Sequence, residues 1–320
     1  MRTPDFIQLD ALDDRAQAEE AIAGLSAPRA QIAPKFFYDR LGSRLYEAIT
    51  ETPEYYPTRT EAAIFAAHGP AIAQAALAET GTAPTLVDLG AGNCAKAASL
   101  FGLLRPARYL ALDISADFLR EALERLQQRH PDLALTGVGT DFSRRLALPK
   151  ALLDGPALVF YPGSSIGNFL PEAALRLLRE ARAAAGGGAL LIGADLIKPT
   201  AVLDAAYDDA LGVTAAFNLN LLRHLNQLID TDFSVRQWRH VAFYDPAAAR
   251  IEMHLEAREP LTVRWPGGER RFAAGERIHT EYSCKWSVPD FAALLRQAGF
   301  SRVRHWTDPQ EWFGVFLAAG

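Results

Sequence analysis

The chain has 320 residues, 49% apolar and 22% charged, which is globular composition with length for one large domain or two ordinary ones. Its 33 basic and 38 acidic residues give a formal charge of -5, without the basic excess that a non-specific grip on nucleic acid requires. No apolar run is long enough to cross a bilayer, and Met1 to Asp10 lacks the basic and apolar regions of a secretion signal. Cys94 and Cys284 form neither zinc nor redox spacing, and the seven histidines show no metal-ligand spacing. A cytoplasmic chain with no metal and no membrane partner is expected.

Residues 1 to about 30 read as a mostly helical lead-in with the acidic-alanine run Asp13 to Ala23. Two aromatic clusters follow, Lys35-Phe36-Phe37-Tyr38-Asp39 and Pro53-Glu54-Tyr55-Tyr56-Pro57-Thr58. Aromatic rings in loops need something to pack on or to bind. Thr58 fits an N-cap with Glu61 as its capping-box partner, opening an alanine-rich helix to about Leu77. From residue 84 strands and helices alternate. The strands are Thr85 to Leu89, Arg108 to Leu112, Leu133 to Val138, Ala157 to Tyr161 and Ala189 to Gly193, which predicts a doubly wound parallel sheet. The rhythm breaks near Pro199. A helical stretch, Val202 to Ile229, and strands Gln237 to Tyr244, Arg250 to Glu256 and Glu276 to Lys285 read as an inserted α+β unit. Helix Pro289 to Ala298 and strands Arg302 to Trp306 and Trp312 to Leu317 then close the sheet with an antiparallel edge.

Chemistry gathers at strand ends. Asp88-Leu89-Gly90-Ala91-Gly92 follows the first apolar strand, and its glycines allow a tight turn with close backbone approach to a ligand. Asp113 ends the next strand, where a ribose hydroxyl pair would be held; the plainer reading is a helix-capping acid. No pyrophosphate cradle is evident, which favours S-adenosylmethionine over NAD as the nucleoside cofactor. Lys96 lies in the first turn of the following helix, where a cation opposes the helix dipole. It either meets a carboxylate, such as the methionine end of that cofactor, or is a solvated surface lysine. Asp141-Phe142, after the third strand, suits an adenine amino group and ring face, or is a turn with Phe142 in the core. Gly163-Ser164-Ser165-Ile166-Gly167-Asn168 ends the fourth strand, in the crevice position, where Asn168 offers donor and acceptor unless it serves the loop alone. Glu281 and Ser283 are two apart on a predicted strand and share a face, so they can read the two nitrogens of an imidazole. The alternative is a solvated face, with Glu281 paired to a surface cation such as Lys285.

These residues resemble the S-adenosylmethionine-dependent histidine Nα-methyltransferases of ergothioneine biosynthesis. The resemblance runs from Lys35 to the end. It adds to the two aromatic clusters and the glycine turn the runs Ser164 to Asn168, Gly212-Val213-Thr214-Ala215-Ala216-Phe217-Asn218, Ile251-Glu252-Met253-His254 and Thr280-Glu281-Tyr282-Ser283, in family order. It implies a Rossmann-like class I methyltransferase core, residues 61–197 and 286–320, and a substrate-binding domain, residues 14–60 and 198–285, with the active site between them. It also implies the site. Gly90, Gly92 and Lys96 would lie near the methionine part of S-adenosyl-L-methionine, Asp113 at the ribose, and Asp141 with Phe142 at the adenine. Tyr38, Asn168 and Tyr207 match positions holding the substrate carboxylate and amine, Tyr38 and Asn168 being the catalytic pair, with Gly163 in the same loop. Tyr55 matches a position reaching the imidazole through water, Glu281 and Ser283 its direct readers, and Met253 the pocket lining. The expected activity is methylation of the α-amine of L-histidine, three times to the betaine hercynine, by a monomer. The alternatives are an N-methyltransferase for another aromatic amino acid such as a tryptophan derivative, an NAD-dependent dehydrogenase, and a non-catalytic nucleotide-binding module.

Overall fold

A computed structural model describes residues 2–9, 14–153 and 155–320. Strand β1 (Asp5–Gln8) is followed by helix α1 (Asp14–Ser26), a 3-10 turn at Pro34–Phe37, and helices α2 (Arg40–Thr50) and α3 (Tyr56–Thr80). Alternation then sets in: β2 (Thr85–Leu89), α4 (Ala95–Leu104), β3 (Arg108–Asp113), α5 (Ala116–Arg129), β4 (Ala134–Gly139), β5 (Ala157–Tyr161), a 3-10 turn at Ser165–Asn168, α6 (Pro171–Ala185) and β6 (Ala189–Asp195). The insertion holds α7 (Thr200–Tyr207), α8 (Val213–Leu228), β7 (Trp238–Asp245), β8 (Arg250–Ala257), β9 (Leu261–Trp265), β10 (Gly268–Phe272) and β11 (Arg277–Cys284). Helix α9 (Val288–Gln297) and strands β12 (Arg302–Thr307) and β13 (Phe313–Ala319) complete the chain. No helix among the described residues is long and apolar enough to cross a membrane.

The chain divides into two compact units. The first holds Pro57–Ile197, Lys285–Gly320 and the described residues of the N-terminal strand segment. Its sheet has the order β1-β4-β3-β2-β5-β6-β13-β12. Pairing is parallel from β1 to β6, and β13 and β12 add the antiparallel edge expected from the sequence. The strands are apolar on both sides because helices cover both. Leu86, Tyr109, Phe160 and Leu191 pack with Ile64 and Ile72 of α3, Leu100 of α4 and Leu119 of α5. Val87, Leu110, Val159 and Ile192 pack with Leu177 of α6 and Phe291 and Leu295 of α9. The carboxyl ends of β2 to β5 therefore emerge at one edge of a rigid core, where ligands of doubly wound sheets bind.

Two expectations are corrected in this unit. The lead-in is not wholly helical, since β1 extends the parallel sheet beside β4. Glycines make the room: a Cβ at Gly137 would lie 2.6 Å from the Phe6 ring, and one at Gly139 would lie 2.3 Å from the Gln8 amide. The acidic-alanine run does form α1, although its first residue, Asp13, lies outside the described residues. Helix α3 begins at Tyr56, so Thr58 sits inside it and the expected capping box with Glu61 does not form.

The second unit holds the described residues from 14 to Tyr56 together with Lys198–Cys284. Its antiparallel sheet has the order β11-β8-β7, and a separate hairpin, β9 with β10, had no counterpart among the expected elements. The single helical stretch expected over 202–229 is two helices. Gly212, at φ 73°, breaks it, and the Asp209 carboxylate accepts from the N–H groups of Val213 and Thr214 to start α8. Residues 30–32 run beside β11, with the His279 N–H donating to Ala30 O and the Ile32 N–H donating to His279 O, both at 2.9 Å. Strand β11 is irregular. His279 faces His254, but the next pair is Glu281 with Met253, so Thr280 is bulged out of the ladder. Its hydroxyl donates to the Met253 carbonyl at 3.0 Å.

Candidate active site

The glycine turn of the first unit is built around Asp113. Gly90 and Gly92 adopt φ of 71° and 52°, a region closed to most side chains, and Cys94 continues it at 62° into α4. The Asp113 carboxylate accepts from the Gly92 N–H at 2.8 Å and from the Ser115 N–H at 2.9 Å. It thus holds the turn in shape, and its remaining lone pairs are what a ribose would meet. Burial raises its pKa, opposed by these N–H donors. Open space lies beside Gly92, and the Phe142 ring comes within 3.8 Å of a Cβ placed at Gly90. Phe142 also packs edge-on against Tyr161, ring centroids 5.8 Å apart. Asp141 accepts from the Ser143 N–H at 3.2 Å and from its hydroxyl. A glycine turn, a carboxylate and an aromatic wall together are a set that fits a nucleoside.

Two buried carboxylates accompany the turn. Asp88 accepts from the Tyr109 hydroxyl at 2.6 Å, while its other oxygen has no hydrogen-bond partner among the described residues. Burial pushes it up to about 7, with the Tyr109 hydroxyl opposing. Lys96 is not simply solvated: its Nζ donates to Glu61 Oε2 at 2.7 Å, and Glu61 Oε1 accepts from the Gly163 N–H at 2.8 Å. Gly163 opens the loop to Asn168, whose side chain is half-buried. The Asp195 N–H anchors that loop by donating to Ser164 Oγ at 2.8 Å. Lys285 is no surface cation: it is fully buried and its Nζ lies 2.8 Å from Asp195 Oδ2.

In the second unit α8 organises a cluster of aromatic residues. His224 donates to Phe36 O at 2.7 Å, and Asn220 donates to Asp39 Oδ1 at 2.8 Å. Asp39 also caps α2 through the Gly42 N–H at 2.6 Å. Tyr38 is thereby clamped from both sides. Its ring meets Tyr46 and Phe217 at 5.8 Å each, Tyr46 meets Tyr55 at 6.4 Å, and Tyr55 meets Tyr207 at 6.3 Å. Burial and the neighbouring phenols hold Tyr55 well above the usual phenol range, so it is a neutral hydroxyl and not a base.

Tyr207 is fixed at both ends. Its hydroxyl donates to Ser283 Oγ at 2.7 Å. Its carbonyl accepts from His240 Nε2 at 2.8 Å, and the Asn218 amide donates to His240 Nδ1, which places the ring proton on Nε2. Burial lowers the His240 pKa, in keeping with this neutral tautomer. Below the bulge, Glu281 pairs with Met253 and Ser283 with Ile251, so these four share the face that carries His240. Glu281 and Ser283 are 8% and 3% exposed and therefore not a solvated strand face. The structure thus gathers Asp113, Phe142, Lys96, Gly90 and Gly163 in one unit and Tyr38, Tyr55, Tyr207, Met253, Glu281 and Ser283 in the other. Sequence reasoning missed Glu61, Tyr46, Phe217, Asn218 and His240; Phe217 and Asn218 lie in a motif it had singled out without assigning them roles. Among the described residues, no three His, Cys, Asp or Glu side chains are grouped to hold a metal ion.

Comparison with known proteins agrees with this chemistry. The family model for the histidine-specific, SAM-dependent methyltransferases matches residues 17–320. The histidine N-alpha-methyltransferase of Mycolicibacterium smegmatis is 40% identical over 96% of this chain and 97% of its own. That of Mycobacterium tuberculosis is 38% identical over 95% of each chain. The ergothioneine biosynthesis protein 1 of Neurospora crassa is 31% identical over 90% of this chain but only 33% of its own length. A core of this topology and a family match over nearly its whole length place the chain in the histidine-specific, S-adenosylmethionine-dependent methyltransferase family.

Proposed function

We propose that the protein methylates the α-amine of L-histidine with S-adenosylmethionine, three times to hercynine, in ergothioneine biosynthesis, as a cytoplasmic monomer. The observation that carries the substrate is the buried pair on β11. Ser283 Oγ accepts from the Tyr207 hydroxyl, which fixes its hydroxyl on the buried face of β11. Glu281, two residues earlier on the same face, is an acceptor. A hydroxyl and a carboxylate on one buried face match the two nitrogens of a neutral imidazole.

Residues 61–197 and 286–320 hold the cofactor, through Gly90, Gly92, Lys96, Asp113, Asp141 and Phe142. Residues 14–60 and 198–285 hold histidine. Bound S-adenosylmethionine supplies an electrophilic methyl group on a sulfonium. The protein's part is to hold the amine neutral, oriented and dry. The Asn168 carbonyl accepts one amine N–H and Tyr38 and Tyr207 bind the amino-acid backbone, which leaves the nitrogen lone pair presented. Between rounds the new ammonium gives a proton to water, so each round replaces an N–H by a methyl and leaves a larger group at the nitrogen. The rings of Tyr38, Tyr46, Tyr55 and Phe217 attract an ammonium through their faces and demand no hydrogen bond from it, so they serve each stage equally.

The test is incubation with isotopically labelled cofactor and each common amino acid, with mass spectrometry counting the methyls and NMR locating them. Histidine alone should be labelled, on the α-nitrogen, ending at three methyls. Labelling of a ring nitrogen, or preference for another amino acid, would overturn the reading.

A further inference from the structure

Glu61 lies in the second turn of α3, and its side chain is 2% exposed. A carboxylate that deep persists only where both oxygens are satisfied. Here Oε2 takes the Lys96 ammonium and Oε1 takes the Gly163 N–H. The space is made by two residues without side chains. A Cβ at Gly193 of β6 would lie 2.3 Å from Glu61 Oε1, and a Cβ at Gly163 would lie 2.8 Å from Lys96 Nζ. One carboxylate therefore joins helix α3, the first turn of α4 and the loop that leads to Asn168. It also offsets the unfavourable placement of a cation at the α4 N-terminus.

We propose that Glu61 is a positioning residue for methyl transfer, which fixes Lys96 for the cofactor's methionine carboxylate and fixes the start of the Asn168 loop for the substrate. This rests on the cofactor role of Lys96 given above. A lysine has four rotatable bonds, and ordering them beforehand removes that entropy from the binding step.

The experiment compares Glu61→Gln, Lys96→Met and the double variant. Glutamine keeps an oxygen for the Gly163 N–H but turns an NH2 group toward the Lys96 ammonium. It should weaken S-adenosylmethionine about tenfold by calorimetry, the low end of a charged hydrogen bond, while kcat at saturating cofactor stays within about threefold. In the Lys96→Met background the same change should alter cofactor affinity by less than about twofold, because Glu61 acts through Lys96. The double variant carries no unpaired buried charge and should melt above Lys96→Met, which guards the comparison against misfolding. Glu61→Ala, which removes the Gly163 acceptor as well, should lower kcat further. A Glu61→Gln affinity unchanged from the parent, or weakened equally with and without Lys96, would overturn the proposal. Unchanged affinity in Lys96→Met alone would instead remove Lys96 from the cofactor site, and this inference with it.

Discussion

Glu281→Gln tests the substrate reading at its most specific point. The glutamine matches the carboxylate in volume, so the ladder with Met253 and the Thr280 bulge stay intact and only the charge is lost. A hydrogen bond to a buried charged group is worth about 1.5–3 kcal/mol, which is roughly 12- to 160-fold in kcat/KM. The 8% exposure of Glu281 places it toward the upper half of that range, because little water is there to replace the bond. The loss should appear in the Michaelis constant for histidine and much less in kcat, since the amine and the cofactor are held elsewhere. Tryptophan gives the contrast. An indole has one N–H and no second nitrogen, so it cannot match both Glu281 and Ser283, and losing the carboxylate hurts it less. Glu281→Ala, which adds a cavity, should narrow the preference further, more so with Met253 made smaller. Steady-state kinetics with both amino acids decide the matter. If histidine kinetics and the histidine-to-tryptophan ratio both stay within about threefold of the parent, worth under about 1 kcal/mol, Glu281 does not read the imidazole.

Asp113→Ala should weaken S-adenosylmethionine by about 1.5–3 kcal/mol and also lower the melting temperature, because the Gly92 and Ser115 N–H groups lose their acceptor; unchanged affinity in the folded variant would dismiss the ribose role. Gly193→Ala should cost about 1–3 kcal/mol in urea unfolding, since its methyl would meet Glu61 and Phe313, and a neutral result would mean that the ion pair has slack. Burial and the neighbouring His254 lower the His279 pKa to about 4, with Glu252 opposing and Arg250 reinforcing. Its folded value lies below the unfolded one near 6.5, so between those two pH values the unfolded chain binds the extra proton. Stability should therefore fall on acidification from about 6.5 to about 4, by up to roughly 3 kcal/mol from this group, and His279→Phe should flatten that part of the profile. Parallel melting-versus-pH curves for the variant and the parent would refute it.

The core was legible because its signals are local. Short apolar runs ending at Leu89, Leu112 and Tyr161 alternate with helices, and that alternation alone dictates a parallel sheet. Glu281 and Ser283 were legible as a same-face pair for a similar reason. Other features depend on partners remote in the chain. Glu61 reads as a capping residue, since nothing near it reveals Lys96 or Gly163, 35 and 102 residues away. Strand β1 has four residues and no alternation of its own, and becomes a strand because Gly137 and Gly139 leave room beside β4. The break before α8 did carry a signal in Gly212, with Asp209 as the cap, but a continuous apolar pattern over 202–229 outweighed it. His240, oriented by Asn218, acts by holding the backbone carbonyl of Tyr207, a role that composition and spacing do not announce.

Thr280 gives β11 two phases. Upstream of it His279 shares a face with His254, and downstream Glu281 shares the opposite face with Met253. Pairing slips by one residue exchange every side chain between faces. Were the ladder to absorb Thr280, the side turned toward His240 would carry Thr280 and Tyr282 in place of Glu281 and Ser283. A carboxylate and a small hydroxyl would give way to a methyl-bearing hydroxyl and a phenol, with no residue substituted. On the proposed reading of Glu281 and Ser283, the taste for one amino acid over another is written partly as a count of residues along a strand. Insertions and deletions between Arg277 and Cys284 are accordingly a route to altered selectivity as direct as any change of side chain.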